Sequence, residues 1–469
     1  MLPQPPDHKR LALLAADVIE QVFARTSLQP DTDLAELTLD ALPRDGIGYD
    51  GFASHYRAIA SASAGLAAPN MMGHMDTAPH PVAVYADALV SALNNNLLFR
   101  ELSPLASQIE EHMLAELARV IGLDEKQWQG TFVSGGSLAN LTALFAATGG
   151  YAAVAQRSLV RLYVAASAHA SVSKSAAVLG LLPEQIIKLD GDTEGRMLAN
   201  ELDAALQHNE TLSATQGEKL RHIVVAVAGS TIHGAMDALP SIADICERYG
   251  AWLHVDAVYG AALGFSSRHN DLLDGIERAN SVVAGPQKWM YVPRLSAIVW
   301  VRGADVMAKT LTFGMDYSTA VDSSSDSGDL PLAHRGQYGL QGSRRADAVT
   351  LWLTLNFLGT DALGRAIDEN IQRAQELYAL LESSRVLEPT HSPELNLQCF
   401  RFSDPARHAR CLSDTRLMSS LGQGTMPFVS VSRWRDEAVF RAVILSSDTR
   451  SEHFQVLLDQ LTQLESESR

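Results

Sequence analysis

Cysteine is nearly absent: Cys246, Cys399 and Cys411 are the only three in 469 residues, and none forms a CxxC pair. An odd, scattered set builds no disulfide framework and suits a reducing, cytoplasmic setting. Charge is also sparse, at 19%, and one-sided. Lys plus Arg number 37 against 54 Asp plus Glu, a formal charge of −17. That excess of acid disfavours nucleic acid or an anionic membrane surface as a partner. No apolar run approaches the ~18 residues of a membrane span. The opening MLPQPPDHKRLALLAADVIEQVF places charged and polar residues inside any apolar stretch. It reads as a Pro-rich arm and an amphipathic helix, not a secretory signal. HExxH and other compact metal-ligand spacings are missing, so no metal is expected. There is no internal repeat. With 46% hydrophobic residues and a mean hydropathy of zero, the chain has the makings of a large core without cross-links. Its length suits two or three domains, or one large α/β body with appendages.

The pattern along the chain is uneven. Residues 1–65 read as mostly helical, and 66–81, LAAPNMMGHMDTAPHP, as a Pro/Gly/His-rich loop. Helices are expected over 82–93 and, after Ser103-Pro104, over 105–121. Then β-branched runs alternate with Ala- and Leu-rich helical lengths. The runs are at 130–134, 161–167, 186–190, 222–229, 251–257, 281–285 and 295–302. Near-continuous apolar strands separated by helices predict an α/β fold, a mostly parallel sheet covered on both faces. Right-handed crossovers would gather the catalytic loops at the strands' carboxyl ends. The stretch 318–330, STAVDSSSDSGDL, reads as a mobile surface loop or a passive linker. From Asp347 a helix, a second helix over 368–383 and an α/β tail suggest a small C-terminal domain. The expected division is 1–90, 91–350 and 351–469.

Four features sit at predicted strand ends. Ser134-Gly135-Gly136-Ser137 precedes a helix whose first N–H groups and positive dipole end could cradle a phosphate, although such a turn is often only a turn. Asp256 closes an apolar strand, either as a helix cap or as a buried anion that holds a ring nitrogen protonated. Lys288 lies among Pro286, Trp289, Met290 and Tyr291, poor company for a solvated lysine and good company for a Schiff-base amine. His169 follows another strand, as a structural or a catalytic imidazole. An anion cup, a carboxylate for a pyridine nitrogen and an amine for an aldehyde are the three requirements of pyridoxal phosphate (PLP).

Further ordered motifs accompany these. They are N-N-N…E-L-S-P-L-A-S-Q-I-E (94–110), F-V-S-G-G-S-L-A-N (132–140), A-H-A-S-V-S-K-S-A (168–176), S-T-I-H-G-A-M-D (230–237), H-V-D-A-V-Y-G (254–260), P-Q-K-W (286–289) and S-R-R-A-D-A…L-W (343–352). Together they resemble the group II PLP-dependent amino-acid decarboxylases, a family that includes the aromatic-amino-acid, glutamate and diaminobutyrate decarboxylases. The resemblance runs over roughly 60–460. It implies a fold type I PLP-dependent lyase and a homodimer with the active site at the interface. By position, Lys288 resembles the cofactor-bearing lysine, Asp256 the pyridinium partner, and Gly135, Gly136 and Ser137 the phosphate cup. His169 resembles the imidazole stacked on the ring, and Thr231 the hydroxyl near the ring's 3-oxygen. Tyr317 matches the loop tyrosine that protonates the α-carbon and reaches the neighbouring subunit's site.

Three positions depart from the family. Gln287 stands where a His usually precedes the lysine, Val258 where a small Ala underlies the ring, and Thr350 where a lysine is usual. Gln287 can still donate a hydrogen bond towards phosphate. In the family the segment matching 72–78 lines the substrate pocket. Here it offers His74 and Asp76 and no aromatic residue. Asp76 either faces the distal ammonium of a diamino acid or, with Thr77, caps the helix entered at Pro79. The expected reaction turns an L-amino acid into its amine and CO2. The alternatives are an oxidative aldehyde synthase on the same cofactor and a non-catalytic scaffold.

Overall fold

The computed structural model describes residues 7–31, 42–303, 305–311, 334–435 and 437–466. Tyr317 and the 318–330 segment lie outside the described residues. In chain order the helices are α1 (His8–Phe23), α2 (Gly48–Ser61), α3 (Pro81–Leu93), α4 (Pro104–Val120), α5 (Gly136–Ala147), α6 (Ala170–Val178), α7 (Ala199–Gln216), α8 (Leu239–Tyr249), α9 (Val306–Leu311), α10 (Asp347–Leu358), α11 (Thr360–Ser383), α12 (Pro405–Ser413), α13 (Thr415–Ser420) and α14 (Ser451–Ser466). None of them is by itself long and apolar enough to cross a membrane.

Contacts divide the chain into two compact units, Pro79–Glu369 and a discontinuous one made of Met1–Ala78 with Asn370–Arg469. The three-part division of the sequence placed its boundaries elsewhere, and it did not foresee that the first and last segments share a unit.

Pro79–Glu369 is built on seven strands: β1 (Trp128–Val133), β2 (Val160–Ala165), β3 (Ile186–Leu189), β4 (Arg221–Val227), β5 (Trp252–Ala257), β6 (Ser281–Ala284) and β7 (Ala297–Arg302). Their order is β1-β7-β6-β5-β4-β2-β3. β2 through β6 pair in parallel, whereas β7 runs antiparallel to both β6 and β1. The link from β6 to β7 contains no helix, and a parallel return needs a crossover that usually holds one. Two antiparallel steps leave β1 pointing the same way as β6. The carboxyl ends of β1, β2, β4, β5 and β6 therefore share one edge. The apolar faces of α5 and α6 pack on the sheet with Val133, Val283 and Val299 in one cluster and Leu162, Val164 and Val225 in another.

Two of the sequence motifs meet in this unit. Leu97 N–H donates to Arg344 O (3.1 Å) and Asn96 Nδ2 to Ser343 Oγ (3.1 Å). Glu110, fully buried on α4, receives Arg344 and Arg335. Burial pushes its carboxyl pKa up, but the two guanidinium groups, Arg344 first, outweigh that and hold it below the usual range.

The other unit carries a four-stranded antiparallel sheet in the order β10-β11-β9-β8, from β8 (Leu387–Pro389), β9 (Leu397–Phe402), β10 (Ser430–Trp434) and β11 (Glu437–Val443). Phe400, Phe402, Phe440, Phe454, Leu377 and Leu457 form its core. The early segment is stitched into this unit. Met72 N–H donates to Phe428 O (2.9 Å), Phe428 N–H to Asn70 O (2.8 Å) and Val443 N–H to Met72 O (2.7 Å).

Candidate active site

The shared sheet edge collects most of the residues singled out above. β1 ends at Val133, and two residues on Gly135 has φ 87° and ψ 164°, a conformation essentially closed to other residues. It opens α5, which no side chain caps, so the amides of Gly136 and Ser137 head the helix. A Cβ on Gly136 would come within 3.0 Å of Val258 Cγ2, and one on Gly285 within 2.8 Å of Val258 Cγ1. Val258 thus fits because two glycines flank it. Gln287 Oε1 accepts from Ser296 N–H (2.9 Å), which commits its carbonyl and leaves Nε2 as the donating end. Beside it the Ser296 hydroxyl is buried with no hydrogen-bond partner among the described residues. Ser134 N–H donates to Gln341 Oε1 (3.1 Å), bracing the turn.

Asp256 is 6% exposed, and both its hydrogen-bond donors are neutral. Val258 N–H donates to Oδ1 (3.2 Å) and Asn140 Nδ2 to Oδ2 (2.9 Å). The first bond is the local turn contact expected of a capping Asp; the second comes from α5. Asn140 Nδ2 also donates to Ser171 Oγ (2.9 Å), and its Oδ1 lies 2.9 Å from His254 Nε2. His254 Nδ1 lies 2.9 Å from Ser281 Oγ, which accepts from Trp252 Nε1–H at 2.9 Å. Burial drives His254 down to about 4, so the ring is neutral.

His169 is the N-cap of α6, its Nδ1 accepting from Ser171 N–H (3.2 Å) and lying 2.8 Å from Ser171 Oγ. Nδ1 is thereby an acceptor, and Nε2 carries the proton of the neutral ring. Burial lowers the His169 pKa; Asp256 pulls it up, while Lys288 and Lys174 push it down. Lys288 is half-buried, with Nζ 5.8 Å from the centre of the Tyr259 ring, which stacks on the fully buried Trp289. Thr231 sits in the tight turn after β4, where Ala235 N–H bonds Ser230 Oγ (3.1 Å).

His74 and Asp76 belong to the other unit. His74 is exposed, with φ 58°, and its ring centre is 5.6 Å from that of Phe428. Partial burial and then the Arg441 charge hold its pKa below 6.5. The cap expected from Asp76 or Thr77 is not there. α3 starts at Pro81, and its N-cap is His80, whose Nδ1 accepts from Val82 N–H (3.3 Å). His80 has an extended backbone and a ring nitrogen two residues before the amide it caps, so it does the work of an Asp or Ser.

Sequence reasoning missed Asn140, Ser171, His254, Ser281 and Gln341. One signal was available: W-L-H-V-D-A alternates, putting Trp252, His254 and Asp256 on one face of β5.

A glycine-walled helix N-terminus, a buried carboxylate with neutral partners and a half-buried amine on one sheet edge could hold an anionic, nitrogen-bearing aldehyde. Comparison with known proteins agrees. The pattern described as the pyridoxal-dependent decarboxylase conserved domain matches residues 53–403. An L-2,4-diaminobutyrate decarboxylase of Rhizobium meliloti (strain 1021) is 33% identical over 402 residues, 82% of this chain and 76% of that protein. Oryza sativa TDC, solved with PLP and tryptamine, superposes with a TM-score of 0.86 at 21% identity, covering 100% of both chains. Rhodiola rosea 4-hydroxyphenylacetaldehyde synthase gives 0.84 at 20%, covering 99% of each. The fold is that of the type I PLP enzymes, and the chain belongs to the pyridoxal-dependent decarboxylases as a PLP-dependent amino-acid decarboxylase.

Proposed function

We propose that this enzyme decarboxylates a diamino acid, with Lys288, Asp256, His169 and Tyr317 as its working groups. The observation that carries the site reading is Asp256: among the described residues, this buried carboxylate receives hydrogen bonds from neutral donors and from no cationic one. A protonated ring nitrogen would be that cationic donor. The residues fit the cofactor. Methyl groups at Gly135 or Gly136 would crowd the cup, and the buried Ser296 hydroxyl awaits a partner there. In this reading Gly135, Gly136 and Ser137 hold the phosphate with their amides, helped by Gln287 Nε2. Thr231 bonds the ring hydroxyl.

Bound PLP supplies an aldehyde that condenses with amines and a ring that draws off the electron pair of a breaking bond. Lys288 would hold that aldehyde through its Nζ until the substrate amine takes its place. Asp256, 6% exposed, would balance the positive charge of a bound ring nitrogen. His169, neutral, presents its flat ring and the Nε2 proton. The Cα–carboxylate bond breaks and CO2 leaves. Tyr317 then gives its proton to the α-carbon, and the product is an amine.

The substrate class rests on two supports. The relative from Rhizobium meliloti is named for a diamino acid, and Asp76 is not the cap of α3 because His80 is. A panel of cationic, neutral and acidic amino acids, scored for amine and CO2 by mass spectrometry, should rank diaminobutyrate, ornithine or lysine first. Asp76→Ala should flatten that ranking, and an unchanged preference would remove the diamino-acid idea. Borohydride reduction should fix the cofactor on the peptide holding Lys288. Peroxide formation with oxygen uptake would instead favour the aldehyde-synthase outcome, which the shared fold alone leaves open. We also place the enzyme in the cytoplasm as a homodimer with the site at its interface. The three buried cysteines, none of them in a disulfide, support the first point. The second is supported by Tyr85, Leu89 and Leu93, which expose one face of α3, beside Phe357 of α10 at 69% exposed.

A further inference from the structure

The Asp256 carboxylate, which can only accept, orients the polar chain along β5. Trp252 Nε1–H is solely a donor, so Ser281 Oγ accepts from it. Ser281 Oγ has a second lone pair, so the Asp256 end decides: with Asn140 Oδ1 turned to His254, the ring bears its proton on Nε2 and the Ser281 hydroxyl gives its own to Nδ1. The Asn140 amide nitrogen faces Asp256 Oδ2 and Ser171 Oγ. Asn140 and His254 are buried, 1% and 0% exposed, and an Asn140 amide turned around would set its oxygen against the Asp256 carboxylate and its N–H groups against the His254 N–H.

We infer that Asn140, locked in one orientation by His254, is a positioning residue that aims the Asp256 carboxylate at the cofactor's ring nitrogen. The inference rests on the reading of Asp256 given above. His254 has no described hydrogen bond to Asp256 or Lys288; the hydrogen bonds that join it to Asp256 run through the Asn140 amide, beside the direct Coulombic pull of Asp256 on the ring. A neutral donor in place of the imidazole should serve, whereas an apolar group of similar size should not.

The test compares Asn140→Ala, His254→Leu, His254→Gln and Asp256→Asn in the PLP-loaded enzyme and the apoprotein. Asn140→Ala and His254→Leu should each lower kcat about tenfold or more, with KM within about twofold, since each disturbs a hydrogen bond that serves a charged group. Both should shift the visible absorbance of bound PLP and its pH titration. His254→Gln, whose amide nitrogen can replace Nε2–H, should restore kcat and spectrum. In 15N-histidine spectra of the apoprotein at pH 7, the resonances lost in His254→Gln should be those of a neutral ring protonated on Nε2. His254→Leu keeps the test open if Asn140→Ala fails to fold, and thermal midpoints separate stability from positioning. The inference falls if Asn140→Ala or His254→Leu lowers only the midpoint and leaves kcat and spectrum unchanged while Asp256→Asn is crippled. It falls equally if His254 proves to be protonated on Nδ1. Wild-type kcat in Asp256→Asn would sink the reading of Asp256 itself.

Discussion

His254 and His233 are two imidazoles that burial drives down to about 4 from an ordinary 6.5. Each is neutral in the folded chain over a range where the unfolded chain takes up a proton. Their contribution to stability is complete above pH 6.5 and is lost as the pH falls towards 4. Asp237 opposes them. Burial raises its carboxyl to about 6 while it accepts from Met197 and Val227 N–H, so its share is present at low pH and fades as the pH rises through 6. The windows overlap, and only a single substitution isolates one sign. His254→Gln should make the thermal midpoint fall less steeply between pH 6.5 and 4 than in the wild type. The difference is at most roughly 1.4 kcal/mol per pH unit for one proton; an identical slope would show that His254 does not titrate there. At this scale the sequence is legible where chemistry is out of place. Asp256 and Lys288 stand out because a carboxylate and an amine sit in apolar company. Asn140 does not stand out, because nothing local tells a helix amide that it will meet β5 from above.

The turn from β1 into α5 shows what a local element decides. Gly135 has φ 87° and ψ 164°, and a Cβ there would also approach Leu295 Cδ2 at 3.3 Å. Gly135→Ala should cost ~1–3 kcal/mol of stability and weaken PLP binding, read by thermal melts and cofactor titration; a variant that binds PLP like the wild type would detach this turn from the cup. The seven strands described in the larger unit are legible as β-branched runs because they are largely buried on both faces, and only β5 among them is read by its alternation. The direction of β7 is not legible, because runs of Ala, Ile and Val look the same read either way. α11 begins at Thr360 and not at 368. Gly364 lies inside the helix, where a Cβ would meet the Phe265 carbonyl oxygen at 2.2 Å. Close approach, not flexibility, explains that glycine.

Over the whole molecule, the unpaired side of α3 is the feature to test. Tyr85, Leu89 and Leu93 recur every four residues and are 53%, 47% and 54% exposed, a stripe suited to a second copy. Leu89→Glu should shift the mass in light scattering from dimer to monomer and leave the fold intact by circular dichroism; a dimer that persists places the interface elsewhere. The sharing of one unit by the first and last segments is not legible, because it is written only in long-range pairing. It also has a consequence for synthesis. The amide of Met72 must wait for Phe428 and the carbonyl of Met72 for Val443. At ~5–20 residues per second, that delay is roughly 20 to 70 seconds on the ribosome. Met71 and Met72 thus emerge with their final neighbours still untranslated, while Pro79–Glu369, continuous in the chain, can close first. Nascent chains stalled before residue 428 would leave this early methionine-rich stretch open to holdase chaperones.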